Sequence, residues 1–250
     1  MLAPMNRNNA IRYADYLLAQ AKQYEGKRSA KKTKLLLLAS AARLFDSVAP
    51  QDMRVSDICE GVGASQGTYY LHFETKTDIV KELLSGFVDF EIGTMPLLTS
   101  EVHPFETVLK IVHWYEASFR LNYGIMLYLV QLSEVHEELA EVWRRRSKFI
   151  VDRLMQWLHP HYDLNQKEDD HVRQMCFSVG SILDQGLFAR FGIHAAALSS
   201  QHGDSELVTE LQALLIYRSI FAGNPPAEML SVGKVFLPLL QIDSVSGKRL

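Results

Sequence analysis

The sequence predicts an all-α protein, with an N-terminal three-helix helix-turn-helix domain followed by a C-terminal helical bundle. Three observations predict it. Strand signals are nearly absent, with no convincing run of alternating β-branched residues and no Asn-Gly hairpin. Apolar residues recur instead at helical spacing along the chain. Finally, the stretch from Ser56 to Leu84, SDICEGVGASQGTYYLHFETKTDIVKELL, sets two short helical patterns around a Gly-bearing turn, followed at once by a third. That order is how a helix-turn-helix is written.

The elements follow in chain order. Residues 9–24 form an amphipathic pattern with Ile11, Ala14, Leu18 and Ala21 on one face. Lys34 to Ser47 carries the stripe Leu35, Leu38, Ala42 and Phe45. Ser56 to Val62 and Ser65 to Phe73 are the two short helices, and Thr77 to Gly93 is the third, closed by Gly93 and Pro96. LLTSEVHP reads as a loop. Phe105 to Leu121 carries Phe105, Val108, Leu109, Val112, Tyr115 and Phe119 on one stripe. Gly124 is expected to interrupt before Ile125 to Ser133. Glu137 to Leu158 is a long helix ending at His159-Pro160, PHYDLNQ a loop, and Lys167 to Phe191 another long helix with Gly192 as its stop. GIHAAALSSQHGD reads as a polar, mobile connection. Ser205 to Phe221 and Ala227 to Leu240 close the pattern, with GNPP between them. No internal repeat or low-complexity tract is present.

Composition narrows the class. The chain has 250 residues, 48% apolar and 22% charged, which suits a soluble globular protein of one large or two modest domains. Two cysteines, Cys59 and Cys176, form no CxxC and no disulfide framework, which fits a reducing compartment. No apolar run reaches the ~18–20 residues of a membrane span, and the first residues do not read as a signal peptide. A cytoplasmic protein with no membrane association is expected. Net charge is −3, but its distribution is uneven. Lys22, Lys27, Arg28, Lys31, Lys32 and Lys34 stand against Glu25 alone, and the excess of acid lies beyond residue 80. A local basic patch matters more for nucleic acid than the total does.

The helix-turn-helix has the chemistry to read DNA. Gly63 supplies the turn, and Ser65 can cap the second helix by accepting an orphan backbone N–H. Gln66 and Thr68 stand in its first turn. Gln can pair bidentately with adenine, and a Thr methyl can touch a thymine methyl. Tyr70 and His72 lie where a phenol or imidazole can bond a phosphate. Ile58, Val62, Tyr69 and Phe73 are the apolar positions expected to lock the small domain. Spacing alone leaves a plain helical hairpin of a larger α-protein as the alternative.

The residues themselves resemble the DNA-binding segment of TetR-family transcriptional regulators. The matches are Ile58, Gly63, Ser65, Gly67, Thr68, Tyr70, His72, Phe73 and Lys76, with Ala41 and Phe45 in the upstream LLLLASAARLFDS. The resemblance covers about residues 33–85. It implies phosphate contact by Lys76; with the residue chemistry above, the candidate DNA-binding set is Arg54, Ser65, Gln66, Gly67, Thr68, Tyr70, His72 and Lys76, of which Gln66 stands where many members carry a different residue. The chain departs from the family at VAPQDMRV, where the usual Gly-aromatic turn and Thr-Thr pair are missing. Arg54 or Met53 occupies the capping place and neither can accept an N–H, so Asp52 or Ser56 is the candidate cap. Arg54 is the candidate replacement for the missing Thr's phosphate contact. GKRSAKKTK is either an arm on the DNA backbone or minor groove or a solvated linker.

The resemblance also implies that the C-terminal bundle binds a ligand and dimerises, with Lys167–Phe191 and Ser205–Phe221 forming a four-helix bundle with the partner's. The boundaries expected are an extension with a basic arm at 1–32, the DNA-binding domain at 33–80, and the ligand-binding and dimerisation domain at 81–250. Candidate ligand-lining residues are Trp114, Phe119, Met126, Tyr128, Trp143, Met155, Met175 and Phe188, although aromatic and Met side chains at helical spacing equally describe a core. Their composition suggests a small hydrophobic or aromatic ligand. His113 and Glu116 are possible polar anchors, with surface positions the simpler reading. Arg144, Arg145 and Arg146 cannot share one helix face, so at least one should point away from solvent or pair with a carboxylate, although a solvated face is the simpler account of them. His159, His161, Asp163, Asp169, Asp170 and His171 lack regular metal-ligand spacing, so no metal is expected and no cofactor is implied. No phosphate loop, GxSxG or HExxH is present, so no enzyme is read here.

Together these readings give a sequence-specific regulator that binds an inverted-repeat double-stranded DNA operator as a homodimer, most simply a repressor released by a small molecule. The alternatives are an activator or protein-docking factor with the same DNA domain and no small-molecule inducer, and an enzyme or carrier with a coincidental helix-turn-helix.

Overall fold

A computed structural model describes residues 10–25, 29–162, 166–192, 205–221 and 223–236. Every regular element among them is helical. In chain order these are α1 (Tyr13–Lys22), α2 (Ala30–Leu44), α3 (Val55–Glu60), α4 (Gln66–Tyr70), α5 (Lys76–Thr94), α6 (Pro104–Leu121), α7 (Tyr123–Ser133), α8 (Glu137–Leu158), α9 (Gln166–Phe191) and α10 (Ser205–Phe221). Short 3₁₀ turns occupy His159–His161, Ala227–Met229 and Gly233–Phe236. The chain divides into two compact units, Met1–Leu97 with Trp114–Leu154, and Leu98–His113 with Met155–Leu250. None of the described helices is long and apolar enough to cross a membrane.

In the first unit α1 buries Tyr13, Ala14, Leu17 and Ala21, while Ile11 stays 38% exposed. The expected Ile11–Leu18 face is therefore rotated, because Tyr13 contributes the larger apolar surface. On α2 the whole expected stripe, Leu35, Leu38, Ala42 and Phe45, is buried. The helix begins at Ala30, so Lys31, Lys32 and Lys34 are helical rather than an extended arm. Lys34 pairs with Glu82 at 2.7 Å and lies over the Phe73 ring. Gly26, Lys27 and Arg28 fall outside the described residues.

The break between α6 and α7 falls at Asn122, not at Gly124. Gly124 lies in the first turn of α7, and a Cβ there would stand 2.0 Å from the Phe45 carbonyl oxygen. The absent side chain is what lets α7 meet the end of α2, and the Tyr128 ring packs edge-on against Phe45 beside it. The arginine run is not one solvated face, and one of the three turns from solvent onto a carboxylate. Arg144 is solvated and pairs with Glu137 and Glu141, and Arg145 pairs with Asp89. Arg146 is 3% exposed. Its Nε and Nη2 donate to the two Glu91 carboxylate oxygens at 2.6 and 2.8 Å, and Nη2 donates also to the Tyr115 hydroxyl. The guanidinium lies over the Trp143 and Tyr115 rings. Burying a charge is tolerable only when it is paired and hydrogen-bonded in this way. Glu116 is buried too, whereas His113 is exposed.

In the second unit Pro104 opens α6, a position where its missing N–H costs nothing. The N–H of Phe105 is satisfied by His103 Nδ1. Trp157 Nε1 and the Thr107 hydroxyl both donate to the Thr99 carbonyl, which pins the preceding loop. Cys176, Leu183 and Leu187 of α9, with Ala213 and Leu214 of α10, are buried. Gly192 follows the last residue of α9, its N–H bonded to the Phe188 carbonyl. The expected helix from Ala227 is not formed over the described residues up to Phe236. The buried Glu210 carboxylate accepts the N–H groups of Ser231, Val232 and Gly233, taking donors that a helix would use. Most of GIHAAALSSQHGD lies outside the described residues.

Candidate nucleic-acid interface

The site is built on a small apolar centre. Leu37, Leu38, Ala41 and Phe45 of α2, Ile58 and Cys59 of α3, Tyr69 of α4, Phe73, and Ile79, Val80 and Leu83 of α5 are all buried. Val62, expected among them, is only half-buried. Met53, in the segment VAPQDMRV, is a further anchor, being 1% exposed. Gly63 adopts φ +65°, the left-handed conformation that favours glycine. The Ala64 N–H then returns to the Cys59 carbonyl. Burial pushes the Cys59 thiol up from its ordinary range.

The caps follow from side-chain chemistry. Ser65 Oγ accepts the Thr68 N–H at 3.1 Å and shares a hydrogen bond with the Thr68 hydroxyl. Thr75 and Asp78 exchange bonds at the start of α5, and the Thr75 donors hold the Asp78 carboxyl below its usual range. Tyr69 spans the two, its hydroxyl donating to the Thr75 carbonyl. The cap of α3 is neither Asp52 nor Ser56: Asp57 reaches back to accept the Arg54 N–H at 3.3 Å. Arg has no acceptor, so this end carries only half of a capping box. The Arg54 guanidinium is left pointing outward at an exposed position.

The outward side of α4 presents Ser65, Gln66, Gly67 and Tyr70 as exposed residues, with Thr68 and His72 half-buried. Leu71 is 82% exposed, a feature the sequence pattern did not single out. A Cβ on Gly67 would meet only Ser65 Oγ, at an ordinary 3.7 Å. The bare glycine therefore answers no internal packing need, and it leaves the backbone open to close approach from outside. Lys76 is engaged within the chain, Nζ donating to the Gln51 carbonyl at 2.7 Å. Arg54, Gln66, Tyr70 and Lys76 thus belong to one small domain in which side-chain caps and buried rings fix polar groups at the surface.

The segment that carries this geometry also matches a known family in sequence. Residues 37–83 match the family of bacterial regulatory proteins, tetR family. Those residues carry a tetR-family segment. The chain is 28% identical over 130 residues to the HTH-type transcriptional repressor KstR2 of Rhodococcus jostii (strain RHA1), covering 46% of this chain and 63% of that protein. It is 37% identical over 71 residues to KstR2 of Mycobacterium tuberculosis (strain H37Rv), covering 28% of this chain and 36% of that protein. The chain therefore spans less than two thirds of the length of these relatives. Among solved structures, the transcriptional regulator FadR from Bacillus subtilis in complex with stearoyl-CoA aligns with TM-score 0.56 at 14% identity, over 74% of this chain and 97% of that one. The fatty acid degradation regulator FadR from Bacillus halodurans aligns with TM-score 0.55 at 16% identity, over 78% and 96%. At such identity the likeness is one of fold, and it extends well beyond residues 37–83.

The candidate ligand residues fall in both compact units. Trp114, Phe119, Met126, Tyr128 and Trp143 belong to the first, and Met155, Met175 and Phe188 to the second. Trp114, Phe119, Met126 and Met155 are buried, and the other four are partly exposed. The Trp114 indole N–H is buried without a partner. Tyr128 packs on Phe45, and Trp143 underlies Arg146, so both serve the packing of the first unit. Among the described residues no three His, Cys, Asp or Glu side chains gather as a metal site.

Proposed function

We propose that the chain is a transcriptional repressor that binds an inverted-repeat operator as a homodimer and is released by a small molecule with a large apolar part. The observation that carries the reading is α4 itself. It is a capped, rigidly backed short helix whose outer side offers Gln66, Gly67, Thr68 and Tyr70, inside a tetR-family domain. Gln66 and Thr68 address base edges, while Arg54, Tyr70, His72 and Lys76 address phosphates. Lys76 would exchange the Gln51 carbonyl for a phosphate oxygen on binding.

Dimerisation is supported by the outer side of α9. Beyond Asp170 and His171 near its start, the exposed described positions Gln174, Phe177, Ser178, Ser181, Ile182 and Gln185 carry no charge, and Leu215 of α10 is 44% exposed. Charge depletion with exposed apolar side chains is the mark of an interface centre. Two copies joined there place two recognition helices on successive half-sites. The ligand binds better to a conformation whose recognition helices are wrongly spaced, which shifts the population off DNA. The stearoyl-CoA carried by the B. subtilis structure supports an acyl thioester as the first ligand to try.

The test is selection from a random duplex pool at near-physiological salt, followed by titration of the bound operator with stearoyl-CoA. An enriched inverted repeat and its release by the thioester are expected. Uniform, weak binding to any duplex would remove the operator reading. Tight operator binding insensitive to acyl thioesters of any chain length would favour a regulator without this kind of inducer.

A further inference from the structure

We infer that Asn122 is a positioning residue for operator binding, acting through α1, which it locks across the helix-turn-helix and the α6–α7 joint. The inference rests on the chain being a dimeric operator-binding regulator. Asn122 is 1% exposed and sits where α6 ends and α7 begins. Its amide makes three bonds. Oδ1 accepts the N–H of Tyr13, the first residue of α1, at 2.7 Å. Nδ2 donates to the Ile11 carbonyl just ahead of α1 at 3.3 Å and to the Ser118 carbonyl of α6 at 2.9 Å. One buried side chain therefore fixes both the start of α1 and its direction. An apolar side chain of similar size would fill the same space and fix neither.

From that anchor α1 reaches the other elements. The Tyr13 ring packs on Phe87 and Phe90 of α5, with centroids 5.7 and 5.2 Å away, and Tyr16 packs on Phe90 at 4.9 Å. Asp15 meets Arg43 of α2 at 3.3 Å, and Arg12 meets Asp46 at 3.1 Å. α5 is fitted to α1 in turn. A Cβ on Gly86 would lie 2.4 Å from the Tyr13 hydroxyl oxygen, so α5 lacks a side chain where Tyr13 crosses it. α1 precedes the matched segment 37–83 and is an addition to the core of that domain. It braces α2 and α5, which carry the recognition helix, against α6 and α7. Half-site spacing depends on how rigidly each recognition helix is held to the rest of its own chain, and α1 supplies that rigidity.

The experiment uses the full chain and its Asn122→Ala and Gly86→Ala variants. Each is offered a duplex library in which two half-sites are joined by spacers of varied length. Gly86→Ala displaces Tyr13 while replacing a helical glycine by the best helix former, so it keeps a folded variant available should Asn122→Ala not fold. The wild type is expected to prefer one spacer. Both variants are expected to keep the half-site sequence while the ratio of the best to the next-best spacer falls about tenfold, a change worth ~1.4 kcal/mol. A folded variant with lower affinity at every spacer and an unchanged ratio would make the brace merely structural and overturn the inference. So would a wild type indifferent to spacing. A wild type that selects no inverted repeat would remove the operator reading itself, and this inference with it.

Discussion

Replacing Glu91 by Ala strands the Arg146 guanidinium in the interior. The pair is almost fully enclosed, with side-chain exposures of 3% and 4%, and Glu91 supplies acceptors for two of the guanidinium's hydrogen bonds. Removing one partner of a buried pair costs about 3–5 kcal/mol, because the surviving charge has lost its neutralising group. The low end applies here, since the Tyr115 hydroxyl and the Trp143 ring face still hold the cation. About 3 kcal/mol corresponds to a melting temperature lower by roughly 6–12 °C for a domain of this size. Urea unfolding of wild type, Glu91→Ala, Arg146→Met and the double variant Glu91→Leu/Arg146→Met measures the loss and its coupling. The double variant is expected to recover most of it, since an apolar pair of similar volume is often no worse than a buried ion pair. A Glu91→Ala loss below about 1 kcal/mol, the size of an exposed pair, would refute the argument that this charge is desolvated.

Other perturbations test other links. Gln66→Ala is expected to alter which operator is selected while non-specific affinity stays unchanged; identical selection removes Gln66 as a reader of bases. Arg54→Ala is expected to weaken binding to all duplexes alike and reduce the salt slope by about 0.9, as measured by titration across salt concentrations. Gly124→Ala brings a Cβ against the Phe45 carbonyl and is expected to destabilise by about 1–3 kcal/mol, the usual cost of overpacking, on a chemical melt. Burial pushes the Tyr69 phenol up to about 12, while the unfolded phenol titrates near 10. The unfolded chain then loses its proton first, so stability is full below about pH 10 and falls as pH rises toward about 12. Tyr69→Phe is expected to flatten that loss in alkaline melts.

Much of this molecule is written locally, and the local part was legible. The stripe of α2, the Gly63 turn and the Ser65 cap each depend on residues a few positions apart, so pattern and cap chemistry locate them. Arg146 shows the opposite case. Its partners lie 55 and 31 residues away, and nothing near it in sequence distinguishes it from the solvated Arg144. Asn122 is bonded to Tyr13 across 109 positions, which no periodicity encodes. Gly124 looked like a helix breaker because its reason, the Phe45 carbonyl, belongs to another helix. The tail beyond Ala227 carried a helical pattern, yet Glu210 captures its backbone donors. In the DNA-binding set, residue type pointed to chemistry. That the Lys76 ammonium rests on the Gln51 carbonyl depends on a loop whose path the sequence does not state.

Helix α4 spans only Gln66–Tyr70. Free helices shorter than about 12–15 residues are marginal in water, so α4 has no independent existence. Its helicity is lent by the Ser65 cap below, the Tyr69 tether to Thr75 and the apolar bed beneath. A substitution in that bed, or at Tyr69, therefore disturbs the helix that faces outward even where it touches none of its exposed side chains.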